Sequence, residues 1–217
     1  MTISAVVFDV GETLVDETRA WGTWAEHLGV PPLTLFAALG AAIAGGRDHR
    51  DPIELFRPGV DVDEEWRRME AAGRSPLAAR EDLYPDALDC LRALAAAGYR
   101  LGIAANQPAA AADVVRAFGI PLELVGMSAA WGLHKPDPRF FERIARELEL
   151  RPAEIAYVGD RLDNDVRPAR AAGMTAVFVR RGPWGWIQAG RDRPPEAHIV
   201  VESLAELPAA IAAFRVG

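Results

Sequence analysis

Four stretches hold residues whose types and spacing suit chemistry. The first is Phe8-Asp9-Val10-Gly11-Glu12-Thr13-Leu14, where Asp9 directly follows an apolar run. A carboxylate there serves as a nucleophile, a metal ligand, or the side chain of an Asx turn. The second is Gly132-Leu133-His134-Lys135-Pro136-Asp137-Pro138. Lys135 precedes a helix start, where free backbone amides also favour an anion. It is placed to neutralise a phosphoryl group or to stand as a solvated surface lysine. The third is Val158-Gly159-Asp160-Arg161-Leu162-Asp163-Asn164-Asp165-Val166. Its aspartates repel one another unless a cation or hydrogen bonds offset them. Ligands that are all oxygen point to a hard ion, Mg²⁺ first; helix capping with a solvated acidic turn is the alternative. The fourth is Gly45-Gly46-Arg47-Asp48-His49-Arg50. Arg47 and His49 on a glycine-loosened turn suit a second anionic group, or else form a solvated loop between helices.

The elements that must position these residues follow from the apolar pattern. Ala5 to Phe8 runs into Asp9, Leu101 to Ala104 into Asn106, Ile155 to Val158 into Gly159-Asp160, and Ala176 to Val179 into Arg180. Leu122 to Val125 and Ile199 to Val201 are weaker candidates. Short unbroken apolar runs suit strands covered on both faces. Helical patterns lie between them: Pro85 to Ala97, Pro108 to Phe118, Pro138 to Leu148 behind the cap Asp137, and Asn164 to Ala172. The alternation predicts an α/β fold, a doubly wound parallel sheet. Ligands of such sheets sit at the C-terminal ends of the strands, where Asp9, Asn106 and Asp160 stand. Residues 15–83 differ. They carry helical patterns at Arg19 to Leu28, Leu33 to Ala44 and Asp63 to Ala72, and no convincing buried strand. The expected organisation is a core domain of residues 1–14 and 84–217, with a small helical domain, 15–83, inserted after the first strand.

Composition narrows the function classes. The 217 residues are 50% hydrophobic and 25% charged, enough to bury a core without covalent staples. Lys and Arg number 24 against 31 Asp and Glu, a net charge of −7 that argues against a nucleic-acid partner. The single cysteine, Cys90, excludes an internal disulfide and a cysteine zinc site. No apolar stretch reaches the roughly 18 residues of a membrane span, and no signal peptide is read at the N-terminus. A cytoplasmic protein with no membrane partner is expected. Among the aromatics, Trp21 and Trp24 at i, i+3 read as core packing. Trp131, close to Lys135, reads as a substrate contact at a cleft rim. Trp184 and Trp186 read as a cover for the sheet end or a homodimer contact.

Taken together and in this order, the motifs resemble those of the haloacid dehalogenase-like hydrolase superfamily, in its helical-cap, phosphatase-like branch. Asp9, Thr13 and Leu14 match the first motif, Asp-x-Asp-x-Thr. Asn106 follows a strand as in the second. Lys135-Pro136-Asp137-Pro138 matches the third, and Gly159, Asp160 and Asp165 the fourth. The resemblance spans nearly the whole chain and implies a Rossmann-like core with the insert as cap. It implies Asp9 as nucleophile, Lys135 and Asn106 as further catalytic residues, and a small phosphorylated substrate. It also implies Mg²⁺ on Asp9, the Gly11 carbonyl, Asp160 and Asp165. Substrate contacts are expected from Arg47, His49 and Trp131.

Two departures bear on mechanism. Gly11 stands where phosphatase members carry a second aspartate, the general acid/base. Ala105 stands where they carry the Ser or Thr that holds phosphoryl oxygens. Weakened acid/base catalysis is therefore expected. If the chain is extended at Glu12, that side chain points away from Asp9 and Gly11. The competing readings are a degenerate member that binds a metabolite or a protein, and a dehalogenase. Gly159-Asp160 disfavours the second.

Overall fold

The computed structural model describes residues 2–214, and these fall into two compact units. One comprises residues 1–15 and 83–217, the other Asp16–Asp82.

The first unit is built on six parallel strands: β1 (Ala5–Phe8), β2 (Arg100–Ala105), β3 (Leu124–Met127), β4 (Ile155–Gly159), β5 (Thr175–Val179) and β6 (Ile199–Val201). Their order is β3-β2-β1-β4-β5-β6, so β1 is central and the winding reverses there. The doubly wound α/β reading is correct, and both weaker strand candidates form. Leu122 to Val125 settles two residues later than its pattern suggested, in register with Gly102–Ala105. Every residue of β1, β4 and β5 is buried, as strands covered on both faces require. Tyr157 of β4 reaches across β1 to donate its hydroxyl proton to the Ala104 carbonyl of β2 at 2.7 Å.

The helices of the second unit come first in the chain: α1 (Thr18–Leu28), α2 (Pro32–Ala44), α3 (Asp51–Phe56) and α4 (Val62–Ala71). Leu35, Leu39, Ala42 and Ile43 are the buried stripe of α2, and Trp24 packs at 6.4 Å from Trp66 of α4. Glu65 is buried among His27, Arg57 and Arg68, and these three partners hold its carboxyl below the usual range. α3 has only two buried residues, too few to make a readable stripe.

The sheet unit then carries α5 (Ala87–Ala96), α6 (Ala111–Arg116), α7 (Ser128–Trp131), α8 (Pro138–Glu147), α9 (Arg167–Ala171), α10 (Gly182–Ala189) and α11 (Leu207–Ala213). Cys90 of α5 is buried, and burial pushes its thiol up to about 12, an inert packing residue. Among the described residues no single helix is long and apolar enough to cross a membrane. The helix read from Asn164 to Ala172 is a correction. It begins as a π turn, Leu162–Val166, before α9. Val166 N–H reaches back five residues to the Arg161 carbonyl, and the wider turn carries Asp165 inward.

Trp131 packs within the sheet unit. Its ring packs tilted against Phe140 at 5.1 Å and lies under the Arg143 guanidinium at 4.8 Å. It lies so close over Gly126 that a Cβ there would meet the ring at 2.1 Å. These contacts give it a packing role against the sheet core, where it stays partly exposed. Gly126→Ala should therefore cost about 1–3 kcal/mol by overpacking. Chemical denaturation of the single variants and of Gly126→Ala/Trp131→Ala checks this. The double variant should lose less than the sum of the singles.

Candidate active site

The site forms where β1 and β4 end side by side. Phe8 pairs with Val158, and the Asp9 amide donates to the Val158 carbonyl at 2.9 Å. That register puts the Asp9 side chain next to the residues that follow β4. Asp9, Asp160 and Asp165 each offer a carboxylate oxygen, and these lie within 4.8 Å of one another. All three are buried. Gly159 makes this possible, because the Asp165 carboxylate occupies the place its Cβ would take, at 2.3 Å.

Lys135 is the chain's sole lysine. Its ammonium lies between two of the carboxylates, 2.7 Å from Asp9 Oδ1 and 2.6 Å from Asp165 Oδ1. Burial alone lowers an ammonium, but Asp165 and Asp9 overcome it and hold Lys135 well above the usual lysine range. It is charged at neutral pH. Asn106 fixes the lysine's backbone. Its carboxamide donates to the Lys135 carbonyl at 3.0 Å and accepts from the Lys135 amide at 2.8 Å. Both ends of Asn106 are thus engaged in positioning Lys135.

The remaining members divide by partner. Asp165 also accepts from the Arg161 amide at 3.0 Å. Asp163 turns away to the Arg161 guanidinium at 2.8 Å and is no part of the cluster. The Thr13 hydroxyl points to Asp160 Oδ1 at 3.5 Å. Asp160 Oδ2 is the one buried side-chain nitrogen or oxygen among the described residues with no hydrogen-bond partner. Burial, then the charges of Asp165, Asp9 and Glu12, push the Asp160 carboxyl well above the usual range. Burial and Asp9 push Asp165 up to about 6 despite Lys135. Three carboxylates face one ammonium, and the excess negative charge with an orphaned oxygen fits a divalent cation with oxygen ligands.

The chain is not extended at Glu12, so the condition under which its side chain would point away from Asp9 and Gly11 is not met. Its backbone instead lies in the left-handed region at φ 52°, and its side chain is buried. Tyr84 donates its hydroxyl proton to Glu12 Oε2 at 2.6 Å. The turn closes tightly: Glu12, Leu14 and Val15 amides fold back onto Val15 and Val10 carbonyls within six residues. Gly11 bridges to Val15 in that turn and carries no carboxylate to replace the missing acid. Ala105 likewise offers no hydroxyl.

Arg47 and His49 belong to the helical unit. Arg47 lies 3.6 Å from Asp51, and His49 pairs with Asp48 at 3.5 Å and meets the Trp21 ring edge-on. Trp184 packs under the Arg161 guanidinium at 5.1 Å, while Trp186 is half exposed.

The protonation pattern has a sign that can be measured. Asp160 and Asp165 hold protons more tightly folded than unfolded, so the contribution of these two groups to stability falls as pH rises above the usual carboxylate range. In chelator at pH 7.5, Asp160→Asn should raise the melting temperature by several degrees, at about 2–4 °C per kcal/mol for this size. The gain should shrink as pH falls and the wild-type carboxyl takes up its proton. Mg²⁺ at about 100 times its Kd should stabilise the wild type by ~2.7 kcal/mol and the variant far less. Thermal melts with and without Mg²⁺ check both, and a wild type indifferent to divalent cations contradicts the cation assignment.

Comparison with known proteins places this geometry. A family model for haloacid dehalogenase-like hydrolases matches residues 3–173. The chain is 36% identical to a glyceraldehyde 3-phosphate phosphatase of Methanopyrus kandleri, over 74% of this chain and 76% of that one. It is 35% identical to a phosphoserine phosphatase of Thermus thermophilus, over 52% of each chain. Among solved structures it is similar to a HAD phosphatase from Thermococcus onnurineus, with a TM-score of 0.64, 24% identity, and 99% and 100% of the two chains covered. It is also similar to an L-2-haloacid dehalogenase from Xanthobacter autotrophicus, with a TM-score of 0.67, 20% identity, and 99% and 100% covered. At these identities the structural likenesses establish the fold.

Proposed function

Because the chain belongs to the haloacid dehalogenase-like hydrolase family, we propose that it is a Mg²⁺-dependent phosphatase acting on a small phosphorylated molecule. The observation that carries this is the shared ammonium: Asp9 and Asp165 are joined through Lys135 while Asp160 keeps an unpartnered oxygen. The names of the Methanopyrus and Thermus relatives support phosphate esters as the substrate class.

In this proposal Asp9 is the nucleophile. One Asp9 oxygen is fixed by Lys135, which orients the carboxylate at the end of β1. The other attacks phosphorus, the P–O bond to the leaving group breaks, and an acyl phosphate forms on Asp9. Water then cleaves that acyl phosphate and returns the carboxylate and inorganic phosphate. Lys135 stabilises the charge on the phosphoryl oxygens, in a buried site where such charges act strongly. A Mg²⁺ ion held by Asp9, Asp160 and Asp165, with the Gly11 carbonyl, would supply further positive charge at those oxygens. Asn106 keeps Lys135 in place through its backbone.

The missing carboxylate at position 11 shapes the expected specificity. General acid/base groups contribute about 10²–10⁴-fold, or roughly 3–5 kcal/mol of barrier at ~1.36 kcal/mol per decade. The loss falls on alkyl esters, whose leaving oxygen needs a proton. Activity should therefore rise steeply as leaving-group pKa falls, so that acyl and nitrophenyl phosphates are cleaved far better than sugar phosphates. Measuring kcat/KM over such a series in Mg²⁺ tests this. Asp9→Asn should abolish turnover, and Asn106→Ala should lower kcat about tenfold or more, consistent with what small misplacements cost in catalysis. No turnover of any ester by the wild type would favour the binding-protein reading, and a flat series would mean another acid serves the leaving group.

A further inference from the structure

Glu12 combines three features that a solvated loop residue does not share. Its φ is +52°, a backbone region that residues other than glycine seldom enter. Its side chain is buried although it bears a carboxylate. That carboxylate is closely met on two sides, by the Tyr84 hydroxyl at 2.6 Å and by Gly182, where a Cβ would lie 2.5 Å from Glu12 Oε2 and 2.7 Å from its Cβ. Gly182 opens α10, whose Gly185 packs on the Asp160 carbonyl with room for 3.5 Å to a Cβ. Strain of this kind persists only where surrounding structure over-determines it.

The partners are themselves braced. The Arg181 guanidinium lies 4.3 Å from the Tyr84 ring, forms a two-pronged pair with Asp86 at 2.6 and 3.1 Å, and donates to the Thr13 carbonyl at 3.2 Å. Asp86 in turn accepts from the Ser203 hydroxyl and the Leu204 amide. The segment after β5, the segment beginning at Leu83 and the turn after Asp9 are thus tied together through Glu12 and Thr13. Thr13, the next residue, is the one whose hydroxyl points to Asp160.

We propose that Glu12 is a positioning residue. Its side chain, hydrogen-bonded by Tyr84 and seated on Gly182, holds its own backbone in the left-handed conformation and so aims the Gly11–Thr13 turn at the acidic cluster. This rests on the phosphatase reading above and assigns Glu12 no proton transfer. The proposed holding is by shape and hydrogen bonding, so an uncharged acceptor of the same size should serve nearly as well. Glycine accepts φ +52° without strain, so it preserves the backbone's freedom to adopt the turn while removing what holds it there.

The test compares Glu12→Gly, Glu12→Gln and Tyr84→Phe with wild type, using nitrophenyl phosphate in Mg²⁺, thermal melts and Mg²⁺ titration by calorimetry. Glu12→Gly should lower kcat at least tenfold with KM changed less than threefold and the melting temperature not lowered. Its Mg²⁺ affinity should fall severalfold, a readout independent of turnover. Glu12→Gln should recover at least fivefold of the lost kcat. Tyr84→Phe, which removes one oxygen and leaves the ring against Arg181, should lower kcat in the same direction by a smaller factor. It stands in if the glycine variant fails to fold. Wild-type kinetics and Mg²⁺ affinity in both Glu12→Gly and Tyr84→Phe would overturn the proposal. So would a glutamine variant as impaired as the glycine one, since the charge itself would then be needed. A wild type that cleaves no phosphate ester overturns the phosphatase reading instead, and the Mg²⁺ titrations still decide the role of Glu12.

Discussion

Everything in the site depends on one ammonium held between two buried carboxylates. Lys135 meets Asp9 at 2.7 Å and Asp165 at 2.6 Å, away from solvent. Breaking such a buried arrangement by removing one partner leaves an uncompensated charge, at a cost of about 3–5 kcal/mol. The lysine therefore cannot be understood as decoration of a surface loop. It neutralises only part of the charge around it, because Asp160 lies in the same cluster with one oxygen unpartnered. The fold tolerates this imbalance, which a bound cation would relieve.

The sheet brings these groups together by register and by omission of side chains. β1 is central, so the residue after it has neighbours on both sides: Asn106 beyond β2 and Asp160 beyond β4. Asn106 then holds Lys135 by its backbone. Gly159 leaves the space that the Asp165 carboxylate fills, and Gly182 leaves the space for Glu12. Alanine at either position would meet those side chains at 2.3 and 2.5 Å. Close approach of a carboxylate to backbone is what each of these glycines permits.

Much of this was legible in the residues. Unbroken apolar runs ending in Asp9, Asn106 and Asp160 placed three site residues at the strand ends, and the cluster at 160–165 announced the excess of negative charge. What could not be read was which way each side chain turns. Asp163 and Asp165 look alike in sequence, yet a π turn sends one to Arg161 and the other inward. Trp131 sits near Lys135 along the chain, but the bare backbone at Gly126 draws its ring into packing. Glu12 would point away from Asp9 only if the chain were extended there, and nothing local in the sequence announces a left-handed glutamate. Its anchors, Tyr84 and Gly182, lie more than seventy residues away.

The central claim is that Asp9 carries the phosphoryl group. Trapping it is the most direct measurement: brief reaction with an acyl phosphate in Mg²⁺, an acid quench, and peptide mass mapping with and without hydroxylamine. The expected result is a single phosphoryl group on the peptide containing Asp9, removed by hydroxylamine as an acyl phosphate must be, and absent from Asp9→Asn and from samples in chelator. Substrate turnover with no label on that peptide, or a label that persists in Asp9→Asn, would contradict the account.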